Sequence, residues 1–216
     1  MIRNLVITAA ATAFVAAAAV PAQAALSFIS GTGNPSSAVA GGQIDFESLP
    51  LGSTNSLTVG GVTFSTSGGE ALYIDNTYAG AYNTIGKSLQ NTYNSNAFGT
   101  LNISFATAVA AFAFNYGAAD TVWTLDAYDA SNTLLGSFNL APTFGGNAGT
   151  FYGVASNGAL IASAVLRGDR NDYIFVDNFT GGISSGVPEP STWAMMLIGF
   201  AGLGLLSQRR RAAVAA

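Results

Sequence analysis

Residues 101–128 read LNISFATAVAAFAFNYGAADTVWTLDAY and contain three runs in which apolar residues alternate with polar or small ones. Successive side chains of a β-strand point to opposite faces of a sheet, so a period of two predicts strands with one buried face. The members that this pattern turns toward a core are Leu101, Ile103, Phe105, Phe112, Phe114, Tyr116, Trp123, Leu125 and Ala127. We therefore predict three consecutive strands, with a short alanine-rich turn between the first two.

Similar short runs continue on both sides of this stretch. Gly60 and Gly61 separate two of them, which is the signal of a tight hairpin. The other predicted strands cover residues 44–47, 135–140, 151–154, 160–167 and 173–179. About nine short strands between clusters of Gly, Asn, Asp and Ser, with no amphipathic helix, predict an all-β fold. We expect an antiparallel β-sandwich or jelly roll over residues 25–180.

The amino-terminal residues 1–24 have the features of a secretory signal peptide. Arg3 supplies a positive start, an alanine-rich apolar section follows, and Ala22 and Ala24 give the small-residue cleavage pattern. We expect the general secretion machinery to export the chain and signal peptidase to cleave before Ala25. A retained amino-terminal anchor is the alternative.

The carboxyl-terminal part has a different composition, which begins after a Gly/Ser-rich linker at residues 181–186. The segment consists of Val187, Pro188, Glu189 and Pro190, an uncharged run from Trp193 to Leu206, and Arg209, Arg210 and Arg211. A hydrocarbon core normally needs about 20 apolar residues, and basic flanks stay cytoplasmic. We expect one transmembrane helix at about residues 192–208, and a tail at residues 212–216. A buried terminal helix of the globular domain is the alternative.

The stretch VPEPSTWAMMLIGF, residues 187–200, with its glycine-rich apolar continuation and the arginine cluster, resembles the PEP-CTERM sorting signal. The match is to the variant that has Trp193 and Ala194 after the second proline. In that family a membrane protease-transpeptidase, the exosortase, recognises the Pro-Glu-Pro segment and processes the exported protein. The resemblance implies an exosortase and the membrane as partners, and a link to Gram-negative envelopes and exopolysaccharide. It predicts a precursor anchored in the inner membrane and a product at the cell surface or in the extracellular matrix.

The body also resembles exosortase-dependent surface proteins with a jelly roll like that of carbohydrate-binding modules. The stretches that carry this resemblance are IDFESLPLG at 44–52, GGVTFS at 60–65 and IFVDNF at 174–179. It implies the fold of the body and a saccharide ligand.

The composition excludes several kinds of chemistry. The chain has no histidine and no cysteine, so it cannot build a Ser-His-Asp or Cys-His nucleophile, a disulfide, or a zinc site with those ligands. Residues 25–187 hold three basic and ten acidic residues, a net charge of −7. Without a basic stripe, nucleic acid is not an expected partner. An acidic balance is typical of soluble proteins and of partners such as divalent cations.

Oxygen-bearing side chains on the first and last predicted strands suggest a calcium site. Asp45 and Glu47 lie on the opening strand, and Asp177 and Asn178 on the closing one. First and last strands are commonly neighbours in a jelly roll, and calcium takes six to eight oxygen ligands. The alternative is that these are solvated strand faces. No cofactor is required by the sequence, and calcium is the one candidate.

Four tyrosines, among many asparagines and glycines, predict a ligand-binding face between residues 73 and 96. They are Tyr73, Tyr78, Tyr82 and Tyr93. Flat apolar rings beside amide donors and acceptors are what a sugar surface needs. An ordinary long loop anchored by tyrosines is the alternative.

The tripeptide Arg167-Gly168-Asp169 is one that some adhesion receptors read, although Gly168 is more simply a turn between strands. Asp169 and Asp172 suit either a cation or the capping of that turn. Trp123 belongs to the core by its strand alternation.

These observations predict an exported, non-enzymatic envelope or matrix protein with a structural or adhesive role. A carbohydrate-binding module, with or without calcium, is the alternative, and its partner would be a polysaccharide. A carboxylate-based glycosidase ranks third, because it would need two acids about 5 to 10 Å apart in a cleft.

Overall fold

The computed structural model describes residues 26–68, 70–91 and 98–181. Fourteen strands and one 3₁₀ turn, Pro35–Ser37, make up the regular structure of these ranges. The strands are β1 (Leu26–Gly31), β2 (Gln43–Ile44), β3 (Gly52–Thr54), β4 (Ser56–Val59), β5 (Val62–Ser65), β6 (Leu72–Asp75), β7 (Ser88–Asn91), β8 (Phe98–Val109), β9 (Ala111–Gly117), β10 (Trp123–Tyr128), β11 (Leu134–Leu140), β12 (Phe151–Ser156), β13 (Ile161–Arg170) and β14 (Phe175–Thr180). They form antiparallel sheets, which confirms the predicted all-β sandwich class.

One sheet has eight strands and the other has six. The eight-stranded sheet has the order β1-β12-β9-β14-β7-β6-β3, and β2 pairs with β14 beside this path. The six-stranded sheet has the order β11-β10-β13-β8-β5-β4. The expected contact between the opening and closing strands is present, because Ile44 of β2 is opposite Phe179 of β14.

Alternating residues of both sheets meet in one core, as the pattern of residues 101–128 predicts. Phe112, Phe114 and Trp123 are fully buried in this core. The ring of Phe179 stacks on those of Phe112 and Phe114, with centroid distances of 5.7 and 6.1 Å. Each buried phenylalanine stabilises the fold by about 1.5–3 kcal/mol relative to an exposed one.

The alanine-rich turn before Phe112 is much shorter than predicted. β8 continues to Val109 and β9 begins at Ala111, so only Ala110 separates them. The two strands belong to different sheets. The chain therefore crosses from one layer of the sandwich to the other at a single residue, and the alanines are strand residues on either side of it.

The Gly60-Gly61 hairpin is confirmed, whereas the first predicted strand is too long. Both glycines have positive φ, 57° and 79°, and Val59 pairs directly with Val62. A two-residue hairpin requires this conformation, which glycine adopts without steric cost. The opening strand ends at Ile44 because Phe46 has a φ of 61°.

Four strands have no counterpart in the sequence prediction: β1, β3, β6 and β7. β7, for example, has Leu89 as its single apolar residue, so it carries no alternating pattern. It is held by main-chain pairing to β6 on one side and β14 on the other. The stretch from residue 73 to 91 is therefore not one long loop.

The eight-stranded sheet has an outer face that is turned away from the core. Asn115, Gly117, Phe175 and Asp177 lie on this face. Three connections cover it: the β1–β2 connection (residues 32–42), the β6–β7 loop (residues 76–87) and the β11–β12 loop (residues 141–150). This covered face holds the candidate site.

Candidate functional site

The β6–β7 loop lies directly on strand β9. The carbonyl of Tyr82 contacts Gly117 so closely that a Cβ added there would be 1.6 Å from the oxygen. Glycine at this position is therefore a requirement of the loop. Tyr82 and Asn83 have φ values of 52° and 61°, which are uncommon for residues with a Cβ. The close contact and the unusual backbone conformation show that the loop packs on the sheet in one specific position.

A β-bulge interrupts the middle of β14. The register of β14 against β9 shifts between Asp177 and Thr180, and Asn178 has a φ of 48°. A bulge lets consecutive residues depart from strict alternation. Asp177 and Asn178 are consequently both buried beneath the loops of the outer face, while Phe179 returns to the core.

The Asp177 carboxyl group fastens the β6–β7 loop to this bulge. It is 1% exposed and accepts hydrogen bonds from the main-chain N–H groups of Ile85, at 2.7 Å, and Asn178, at 2.6 Å. Burial raises the pKa of Asp177 to about 7 against the opposing effect of these two donors, and the carboxylates of Glu47 and Asp45 raise it further. The loop thus depends on a group that titrates near neutral pH.

Three buried asparagines, which we call the asparagine network, connect the covering loops to the sheet: Asn83, Asn115 and Asn178. The Nδ2 group of Asn115 donates to the carbonyls of Gly33 and Gly149 at 2.9 and 2.7 Å. Asn178 Nδ2 donates to Asn115 Oδ1 at 3.0 Å, and Asn83 Oδ1 accepts from the Gly149 amide at 2.9 Å. Hydrogen-bonded in this way, the buried amides cost little and hold the three connections in place.

Between these connections lies a cavity of about 290 Å³. It is lined by Gly33, Asn34, Gly80, Asn83, Thr84, Ile85, Asn115, Asn147, Ala148, Gly149 and Asn178. Five of these residues are asparagines and none is charged. The volume is at the lower end of the roughly 300–1,000 Å³ of small-molecule sites. The lining offers hydrogen-bond donors and acceptors without any net charge.

Beside the cavity is a group of five rings, the aromatic cluster: Tyr78, Tyr82, Phe144, Tyr173 and Phe175. Tyr78 and Tyr82 are 5.4 Å apart between centroids, and both contact Phe175, at 5.4 and 5.9 Å. Phe175 is 1% exposed beneath them, whereas Phe144 is 69% and Tyr78 41% exposed. Two large rings are therefore presented to solvent from a well-packed base.

Three of the four predicted ligand-binding tyrosines lie on this outer face. Tyr78 and Tyr82 belong to the aromatic cluster. Tyr73 on β6 pairs with Gln90 on β7, and Gln90 pairs with Phe175 on β14. Tyr73 therefore lies on the same face as Phe175, two strands away from it. Tyr93 lies outside the described residues. Ligand binding by these tyrosines stays a prediction.

The four residues predicted to hold calcium lie in one region, but their oxygens have other partners. Glu47 Oε1 accepts from the Lys87 amide at 2.7 Å, and Asp45 Oδ1 accepts from the Glu47 amide at 3.2 Å. The Asp177 carboxylate accepts the two main-chain hydrogen bonds described above, and Asn178 Oδ1 accepts from Gln43 Nε2 at 2.6 Å. Within the described ranges, no three acidic side chains are close enough to hold a metal ion. Calcium binding has no support in this arrangement and stays a prediction.

Arg167, Gly168 and Asp169 do not form the predicted turn, because β13 continues through them to Arg170. Arg167 makes an ion pair with Asp126 on β10. A Cβ added at Gly168 would be 2.0 Å from the Trp123 ring. The glycine therefore makes room for a core indole within a strand.

The predicted place of Trp123 in the core is confirmed, and Asp172 holds the chain just before it. Its carboxylate accepts from the Trp123 indole N–H at 2.8 Å and from the Thr121 hydroxyl at 2.7 Å. Burial opposes ionisation of Asp172, but these donors and the amides of Asp120 and Thr121 outweigh it and hold its pKa below the usual value. Asp172 is thus part of the internal structure.

The predicted terminal features lie outside the described residues. They are the cleavage residues Ala22, Ala24 and Ala25, and the sorting residues Val187, Pro188, Glu189, Pro190, Trp193, Ala194, Arg209, Arg210 and Arg211. The predicted helix at residues 192–208 falls there too. In the part of the chain that the structure describes, no helix has the length and apolar character to cross a membrane.

Sequence reasoning missed the asparagine network, because its members are far apart along the chain and follow no local pattern. One signal was present. Three of the four residues of β9 that alternate with its buried rings are small, namely Ala111, Ala113 and Gly117. Small residues on the supposedly solvated side of a strand indicate that another part of the chain approaches closely.

A family model, the PEP-CTERM protein-sorting motif, matches residues 186–211. This confirms the resemblance of the carboxyl-terminal segment. The match covers that segment and not the body. No curated protein matches the chain.

Among solved structures, two carbohydrate-binding modules illustrate the likeness of the body. A family 61 module bound to β-1,4-galactotriose has a TM-score of 0.34 and 9% identity, over 56% of this chain and 86% of that chain. A variant of a family 29 module has a TM-score of 0.33 and 8% identity, over 73% of this chain and 86% of that chain. Similarity this low carries no argument about the ligand.

Proposed function

We propose that this protein is exported, anchored as a precursor in the inner membrane, and processed by an exosortase for delivery to the cell surface or extracellular matrix. The observation that supports the proposal is the sorting motif at residues 186–211. Its position follows directly on a body whose last described strand ends at Thr180.

Each part of the motif has a physical role in this proposal. Pro188 and Pro190 lack amide donors and favour extended backbone, so the segment around Glu189 is accessible to an enzyme. Trp193 suits the membrane interface, and the arginines from 209 onward hold the other end of the span in the cytoplasm. The 14 uncharged residues from 193 to 206 are short for a bilayer, which local thinning accommodates.

The test of sorting is the intact mass of the protein recovered from envelope and medium. The expected product begins at Ala25 and ends near Pro190, and Glu189→Ala should accumulate as a membrane-held precursor. Asp169→Ala, which removes an exposed carboxylate in the body, is the matched control and should be processed normally. Normal processing of Glu189→Ala would refute recognition through this segment.

We infer a structural or adhesive role without catalysis for the body, and polysaccharide binding as its second candidate function. What favours binding is the placement of Tyr78 and Tyr82 together on the outer face, 5.4 Å apart beside an amide-lined cavity. Binding on a glycan array should be lost when both tyrosines are replaced by alanine. Binding that survives this replacement, in a variant with unchanged thermal unfolding, would exclude the tyrosines as the surface.

A further inference from the structure

We propose that the cavity and the aromatic cluster form one site for an uncharged saccharide, with a single sugar ring in the cavity and neighbouring rings on Phe144 and Tyr78. This inference rests on the proposed polysaccharide binding and specifies the residues and the chemical class of ligand. It adds Phe144, Asn147 and the asparagine network, of which the sequence singled out only Asn178, and that for a different role.

The same two loops supply residues to both parts of the site. Tyr82 precedes Asn83 of the cavity lining, and its ring is 6.2 Å from that of Phe144. Phe144 in turn belongs to the same β11–β12 loop as the lining residue Asn147. We therefore expect a ligand that fills the cavity to extend over the exposed rings. A cavity of about 290 Å³ is small for a ligand site, so we assign it a single sugar ring.

The chemistry of the site matches a pyranose. Sugar rings have apolar faces, which pack on aromatic side chains, and hydroxyl edges, which need both donors and acceptors. The amide of Asn147 supplies both and makes no hydrogen bond to any described residue. The cavity lining thus combines amides committed to holding the loops with an amide available to a ligand.

Charge selects an uncharged sugar over an acidic one. The cavity lining has no charged residue, and the acids Asp177, Glu47 and Asp45 lie close behind it. The basic residue closest along the chain to the lining residue Ile85 is Lys87. Its Nζ donates hydrogen bonds to the carbonyls of Glu47 and Leu49 at 2.8 and 2.7 Å. A uronic acid would meet negative potential without a partner for its carboxylate, and a buried unpaired charge is costly.

The loops of the site are also preorganised, because they are held in place without a ligand. The β6–β7 loop is held at Gly117, at Asp177 and through Asn83, as described above. Because these contacts already fix the backbone, binding would not have to order the loops, and that saving favours affinity. The unusual φ of Tyr82 and Asn83 is maintained by the same contacts.

The ligand class is tested with matched pairs of oligosaccharides on the full-length protein. The probes are β-1,4-gluco- and β-1,4-mannohexaose, each beside its C6-oxidised counterpart, oligoglucuronate or oligomannuronate. Titration calorimetry would be done in lauryldimethylamine oxide, a detergent without a sugar headgroup. We expect a neutral hexaose to bind, and its oxidised counterpart to bind at least about tenfold more weakly.

The location is tested with two matched double variants. Phe144→Ala with Asn147→Ala removes an exposed ring and a free amide from the site, and should raise Kd at least about tenfold. Leu134→Ala with Asn139→Ala removes an exposed apolar side chain and an exposed amide from β11, in the other sheet, and should leave Kd unchanged. Equal thermal unfolding of both variants makes the comparison one of binding.

Each contrary outcome is distinct. Tighter binding of the oxidised sugars would overturn the charge class but keep polysaccharide binding. Neutral binding that the site variant leaves intact would overturn the location alone. No saccharide binding, with self-association that only the site variant abolishes, would make this face a protein interface and remove both the inference and the second candidate function. None of these outcomes touches sorting, which the mass measurement decides separately.

Discussion

At the residue scale, two buried aspartates have pKa values that are shifted in opposite directions. Asp172 is 2% exposed and accepts hydrogen bonds from side-chain and main-chain donors, which keep its pKa below the usual value. Asp177 is 1% exposed and more deeply desolvated, it has two main-chain donors and other acids nearby, and its pKa rises to about 7. The number and kind of donors, and not burial alone, decide which carboxyl group stays ionised.

The raised pKa of Asp177 predicts that stability falls as pH rises from about 4 to 7. The folded state holds this proton more tightly than the unfolded chain, whose pKa is near 3.8, so the unfolded chain binds fewer protons in this window and the free energy of unfolding decreases. The decrease has an upper limit of about 4 kcal/mol. Asp177→Asn should flatten the profile measured by urea unfolding at a series of pH values.

Asp172 acts at lower pH with the opposite sign. Its lowered pKa stabilises the fold above about 3.8, and that contribution is lost as pH falls further.

Asp169→Asn, at an exposed position on β13, is the control for the Asp177 experiment and should keep the wild-type slope. An unchanged slope in Asp177→Asn would mean that another group titrates in the window.

Gly168 predicts a second residue-scale effect. Gly168→Ala would put its Cβ 2.0 Å from Cε2 of the Trp123 indole, and such overpacking costs about 1–3 kcal/mol. The measurement is the midpoint of chemical unfolding. Trp123→Phe gives the ring more room, so the two substitutions together should cost less than the sum of their separate effects. Strict additivity would show that the indole is not what requires the glycine.

At the scale of elements, the outer face is organised by loops that are fastened to strands by side chains. Main-chain pairing builds the two sheets, and the amides of Thr143 and Phe144 also join the β11–β12 loop to the Ala119 carbonyl. Side chains add the contacts between the β11–β12 and β6–β7 loops. Asn83 joins them, because its Nδ2 donates to the Tyr116 carbonyl at 2.9 Å and its Oδ1 accepts from the Gly149 amide at 2.9 Å. The two loops should therefore open together.

Asn83→Gly tests this coupling. Glycine tolerates the φ of 61°, so the variant removes chiefly the two hydrogen bonds of the side chain. We expect hydrogen exchange at the Gly149 amide to accelerate at least about tenfold, because each lost bond costs about 0.5–1.5 kcal/mol locally. Amides of β13, in the other sheet, should exchange as in the wild type. Acceleration throughout both sheets would mean global destabilisation and no separate loop unit.

At the scale of the whole molecule, the body has a core made from its own strands. Leu26 begins β1 and Thr180 ends β14, and the described core residues all lie between Val39 and Phe179. Strand β14 is central to the eight-stranded sheet, with β9 on one side and β7 and β2 on the other. The last strand of the body is thus fixed on both edges just before the sorting segment.

This arrangement predicts that residues 25–181 fold by themselves. A chain limited to these residues should unfold cooperatively, at the same temperature as the processed protein within a few degrees, since it retains every described strand. Calorimetry of both forms makes the comparison. A chain shortened further to residue 174, which lacks β14, is the control and should not fold. A large loss of stability in the 25–181 chain would show that the terminal segments contribute to the fold.

Sequence reasoning recovered the fold where a local pattern existed. The alternation of Phe112, Phe114 and Tyr116 identified β9 and its buried face, and the paired glycines identified the β4–β5 hairpin. It failed for β7, which is a strand only because its neighbours pair with it. It also failed for Gly168, because the residue that requires glycine there is Trp123, 45 positions earlier in the chain. The tyrosines of the candidate site were found from composition, whereas Asn83 and Asn115 were not found and Asn178 was named for a different role.

The sequence by itself determined the all-β class, the core-facing side of the main strands and the sorting motif, because each is written in the order of adjacent residues. Only the tertiary structure decided the site. It brought Asn83, Asn115 and Asn178 together from separate elements, gave Asp177 its pKa by burial, and set Phe144 beside Tyr82. Periodicity is a local property of the chain, whereas burial, hydrogen bonding and cavity shape arise when distant segments meet.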